Sequence, residues 1–89
     1  MTDSLERALT ETLSELLFQL ETADDSQINS DYAVALMERV GASLQQIEGF
    51  ELAKFAVIIR EMAGAEANDS QRQYLSDFLD NFGLSDGLA

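Results

Sequence analysis

Apolar residues return along this chain at alternating intervals of three and four, in four stretches separated by short polar clusters, and that period predicts helices. The first stretch carries Leu5, Leu9, Leu13, Leu16 and Leu20. At 100° per residue these five leucines fall within an arc of about 80°, which predicts the core stripe of a helix running from an Asp3 N-cap, with Glu6 three residues on, to Thr22. Residues 23 to 30, ADDSQINS, predict a loop. Asn29 or Ser30 then caps a second helix through Ile47, spaced by Ala33, Met37, Val40, Leu44 and Ile47, with Gly41 weakening its middle.

Glu48-Gly49 predicts a short break, after which FELAKFAVIIREMAG is apolar around most of its circumference, as a central helix packed on two sides would be. That helix is expected to stop near Gly64. Asn68 or Asp69 opens a last helix bearing Tyr74, Leu75, Phe78, Leu79 and Phe82, closed by Gly83 and Leu84 in the pattern of a left-handed C-cap. No alternating strand pattern and no internal repeat are present. The expectation is an all-α fold, a compact bundle of four short helices forming one domain over residues 1–84, with a frayed tail over 85–89.

Two aromatic positions break the pattern. Phe18 lies across the first helix from the leucines, among Arg7, Glu11, Ser14, Glu15 and Glu21, so the sequence places a ring on an otherwise solvated acidic face. Either the ring is covered by the 23–30 loop, the tail or another helix, or it anchors a protein interface whose surrounding charges steer a basic partner. Phe50 and Val57 raise the same question on the third helix, where they share an outer side with Lys54 and Glu61. They are either a second core face or a seam for self-association into a homodimer.

Charge sharpens the choice of partner. The 89 residues hold seventeen Asp and Glu against five Lys and Arg, with no histidine, for a formal charge of −12. Such a surface self-repels, and it is a poor match for nucleic acid or anionic membrane, which need clustered basic residues to displace counterions. A basic protein partner fits better. No stretch approaches the ~18 uninterrupted apolar residues of a membrane span, and MTDSLERAL lacks a signal-like core, so a cytoplasmic location is the expectation.

Site chemistry is thin. There is no cysteine, and without His or Cys the common general bases and nucleophiles are missing, as is any glycine-rich phosphate cradle; neither an enzyme nor a cofactor is expected, and no catalytic residue is assigned. DDSQINSDYAVA lacks both the bend glycine and the closing glutamate of a calcium loop. Glu11 with Glu15, and Asp77 with Asp80, project together from one turn to the next, but a dimetal bundle would also need histidines. No metal is therefore expected. Asp3-Ser4-Leu5 resembles the attachment site of acyl carrier proteins, although in that family the serine opens the second helix and here it opens the first.

A broader resemblance spans roughly residues 29–84. Asp31 precedes Ala33 and Val34, Met37 and Glu38 follow, Leu44-Gln45 stands near the helix end, and Gly83-Leu84 closes the pattern. In these features the chain resembles small acidic all-helical proteins of bacteria that act as immunity partners of secreted toxins. The resemblance implies a non-enzymatic inhibitor that neutralises a basic toxin by stoichiometric binding. The candidate contact residues, read from the first helix and loop, are Glu11, Glu15, Phe18, Glu21, Asp24 and Asp25, with Phe50 and Val57 as the candidates for self-association. The alternatives are a homodimeric adaptor or assembly subunit, or a nucleic-acid mimic.

Overall fold

The computed structural model describes the backbone of residues 2–88 and the side chains of residues 4–88. Four helices follow one another: α1 (Thr2–Thr22), α2 (Ser30–Leu44), α3 (Gly49–Ala65) and α4 (Asp69–Asn81), closed by a 3₁₀ turn over Ser85–Leu88. The architecture is the all-α bundle expected. Its longest dimension, 39 Å, reflects α1, whose 21 residues extend about 31 Å at helical rise.

Helix starts follow local chemistry. The Asn29 side chain accepts the Tyr32 amide at 3.0 Å and the Asn68 side chain accepts the Gln71 amide at 2.9 Å, each satisfying an amide that the first turn leaves free. The proposed Asp3 cap involves a side chain outside the described residues. α2 ends at Leu44 rather than Ile47, because the amides of Gln46 and Ile47 turn back to carbonyls only three residues earlier, and Gly49, at φ 61°, then redirects the chain into α3. At the end of α4, Gly83 adopts φ 70° and the Leu84 amide reaches the Leu79 carbonyl at 2.8 Å, so the left-handed cap forms as expected.

α3 is the central helix. It packs most extensively on α4 and also meets α1 and the closing turn, with Leu52, Ala56, Ile58 and Ile59 buried. Around it the core gathers Leu17, Leu44, Phe78, Leu79, Phe82 and Leu84. Gly41 has a packing role that its helix-weakening effect conceals: a Cβ there would sit 3.3 Å from the Phe82 ring, so the missing side chain lets α2 approach the end of α4. Gln45 ties the same two ends together, its side-chain amide donating to the Phe82 carbonyl at 3.0 Å.

Two further expectations are corrected. The first concerns residues 85–88, which do not fray: they wind into the closing turn, with Leu88 packed against the core and the Gly87 backbone close on Leu52. Residue 89 lies outside the described residues.

The second concerns the buried face of α1, which is not the leucine stripe. Leu5, Leu9 and Leu16 are 61%, 61% and 58% exposed, Leu13 and Leu20 are half-buried, and the covered face is centred on Thr10, Ser14 and Leu17. The helix is thus turned by roughly 100° from the orientation its leucines imply. Small hydroxyl side chains at the contact allow close approach, and the Ser14 hydroxyl is satisfied by donating to the Glu11 carbonyl at 3.1 Å. Ion pairs flank the same contact. Lys54 of α3 bonds Glu6 at 3.0 Å and Arg7 pairs with Glu61, so this rotation places both cations of the α1–α3 junction against carboxylates.

Candidate functional site

α1 carries its carboxylates along the side that runs toward α4. Glu11 and Glu15, one turn apart, stand exposed at the lip of a groove of about 330 Å³ between α1, the end of α3 and α4. Ser14, Met62, Ala65, Tyr74 and Leu75 line it, and Glu66 and Gln71 complete the rim. Glu15 is held in place by two amide donors, Gln71 at 2.9 Å and Gln19 at 3.1 Å. The groove thus joins three carboxylates to apolar and aromatic walls.

Phe18 is half-buried. Its ring meets Tyr74 of α4 edge-on, with centroids 5.5 Å apart at 64°, so another helix covers part of it. From there aromatic contacts continue inward, Tyr74 to Phe78 at 6.0 Å and Phe78 to Phe82 at 4.7 Å. Tyr74 is the hinge between surface and core. Its hydroxyl is buried with no hydrogen-bond partner among the described residues, and burial, reinforced by the nearby Glu21 charge, pushes its pKa up to about 12.

Glu21 belongs to a second groove of about 640 Å³, between α2 and α4, where Glu38 and Asp80 join it over Val34, Met37 and Phe82, and where Tyr74 appears again as a wall. Asp24 and Asp25 lie beyond the end of α1, exposed on the loop and outside the lining of both grooves. Asp24 is organised locally: hydrogen bonds from the Ser26 hydroxyl and the Ser26 amide hold its carboxyl below the usual carboxylate range. The six residues proposed from the sequence therefore divide among two grooves, one partly covered ring and a loop. Glu66, Glu38, Asp80 and Tyr74 are the groove residues that the sequence reading missed. Glu38 sits on α2, Glu66 just past α3, and Tyr74 and Asp80 on α4, so only the packing of these helices around α1 brings them near.

The cations stand elsewhere. Arg7, Lys54 and Arg72 pair with Glu61, Glu6 and Asp69; among the described residues no Lys or Arg lines either acidic groove, although Arg72 also donates to the Glu66 carbonyl at 3.1 Å and so stands just outside the first. Among the described residues no group of three or more carboxylates is arranged to hold a metal ion, and no helix is long and apolar enough to cross a membrane.

On the far side of α1 the surface changes character. Phe50, 80% exposed at the start of α3, shares with Leu9 the border of a groove of about 380 Å³, while Val57 is 50% exposed. No protein-family model, curated protein or solved structure matches this chain.

Proposed function

We propose that this protein is a non-enzymatic binding module of the cytoplasm, an acidic helical inhibitor that neutralises a basic protein partner, a toxin, by one-to-one binding. The observation that carries this reading is the groove at Glu11, Glu15 and Glu66, which combines three carboxylates with apolar walls and, among the described residues, is lined by no cation. A lysine or arginine of the partner would lay its aliphatic stem along Met62, Leu75 and the Tyr74 ring while its charged head met the rim. The −12 charge would act earlier, speeding encounter with a positively charged surface. Glu21, Asp24, Asp25 and the exposed part of Phe18 continue the same negative surface beyond the groove.

The test is affinity capture from the native host at low salt, followed by titration of the captured protein against wild type and a Glu11→Lys/Glu15→Lys double variant. The variant is expected to bind at least about tenfold more weakly, chiefly through slower association, and with a shallower salt dependence. A partner that binds both forms equally would refute the assignment.

A further inference from the structure

The leucine face of α1 leaves Leu5, Leu9 and Leu16 exposed, and on that helix it is also the uncharged face. Glu6, Arg7, Glu11, Glu15 and Glu21 all fall in one half of the helical circumference. The remaining arc, about 140° wide and running from Ala8 through Thr12 and Leu16 to Leu13, holds no charge at all. In a chain of net charge −12 this is where a second, equally negative copy can approach α1 without setting helix carboxylates against one another.

The spacing makes the face complementary to itself. Leu5 and Leu20 are placed symmetrically about the midpoint between Thr12 and Leu13, and so are Leu9 and Leu16. Two copies of α1 laid antiparallel about a two-fold axis at that midpoint therefore set Leu9 against Leu16 of the second copy, and Leu5 against its Leu20. That is the condition for an isologous interface, in which one patch meets the same patch. Leu5, Leu9 and Leu16 are the exposed members of the series, while Leu13 and Leu20 pack partly on the core and offer only their outer edges to the seam. Area agrees: the exposed parts of Leu5, Leu9, Leu16 and neighbouring Phe50 come to roughly 500 Å² per copy, so a pair buries about 1,000 Å², the lower bound for a specific interface.

We infer that the protein is a homodimer assembled through the leucine face of α1, with Phe50 at its edge. The acidic grooves lie on the other side of α1 and stay open, so the dimer is independent of the proposed inhibitor function and would offer that function twice. Its salt response is the reverse of the inhibitor's. Screening removes the repulsion between two acidic chains, so dimerisation strengthens as salt rises, whereas capture of a basic partner weakens.

Sedimentation velocity of the full chain across the micromolar range is the test. Wild type is expected to pass from monomer to dimer with concentration, the dimer fraction rising with added salt. Leu9→Glu and Leu16→Glu, both at exposed positions, should remain monomeric with unchanged far-ultraviolet circular dichroism, while Glu11→Gln should dimerise at least as well as wild type. Because the chain has no cysteine, geometry can be read directly: T12C, beside the two-fold axis, should form an intermolecular disulfide on oxidation, and S26C should not. The inference is overturned by a wild type that stays monomeric throughout, whether or not its leucine face binds neutral lipid vesicles, by dimers that survive both leucine variants, or by a T12C chain that cross-links no better than S26C.

Discussion

α1 and α4 are both amphipathic helices packed on the same central helix, yet they use their apolar stripes in opposite ways. On α4 the residues that the period picks out are covered: Leu75, Phe78 and Leu79, with Phe82 at the cap, are buried and Tyr74 is half-buried. On α1 three of the five leucines in the series, Leu5, Leu9 and Leu16, face outward and Leu13 and Leu20 are only half-buried, while Thr10 and Ser14 are covered. Periodicity identifies a face but does not say what covers it. On α4 the aromatic bulk of Phe78 and Phe82 fills the core, the two rings in contact at 4.7 Å. For α1, small side chains at the α3 crossing and two flanking ion pairs select a different rotation, and the leucines remain available to something outside the fold.

The contrast can be broken most severely at Phe78. This ring is fully buried against Phe55, Tyr74 and Phe82, and Phe78→Ala should cost about 3–5 kcal/mol, enough to unfold much of the population of so small a domain. Leu16→Ala, the matched truncation on α1, should change monomer stability by less than about 0.5 kcal/mol, read from urea unfolding at concentrations too low for association. A Leu16→Ala cost close to that of Phe78→Ala would mean that the leucine face is core after all.

Gly83→Ala tests the end of α4 at intermediate magnitude. Its positive φ disfavours any side chain, and a Cβ would also sit 3.0 Å from the Gln45 side-chain nitrogen, so a loss of about 1–2 kcal/mol is expected in the same assay.

The last effect concerns Tyr74 and appears only in alkali. Its folded pKa of about 12 exceeds the ordinary 10.0, so between those values the native state retains a proton that the unfolded chain has lost, and stability falls as pH rises through that window. Below pH 10 the contribution is complete. Phenolate absorbance in a Tyr32→Phe background should show the late titration, and Tyr74→Phe should abolish this part of the alkaline decline. A Tyr74 that titrates near 10 would indicate that the α1–α4 junction is more open than the Phe18–Tyr74 contact implies.

Much of the fold was legible in the sequence because its signals are local. Asn29 and Asn68 as caps, Gly83-Leu84 as a stop, and the all-round apolar character of α3 each need only a few consecutive residues to be read. The rotation of α1 was not legible, since it depends on which side of Lys54 and Glu61 the helix meets, a contact between positions about fifty residues apart. The same limit applies to the acidic grooves. Glu11 and Glu15 were visible as a pair one turn apart, whereas Glu66 and Tyr74 become their neighbours only once α3 and α4 have packed.

The aromatic contacts that run inward from Phe18 carry a practical corollary. With no tryptophan in the chain and Tyr32 exposed, the tyrosine held in a fixed, asymmetric setting is Tyr74, edge-on between the rings of Phe18 and Phe78. Its near-ultraviolet circular dichroism is therefore a built-in optical gauge of whether the first and last helices are docked, readable without any label.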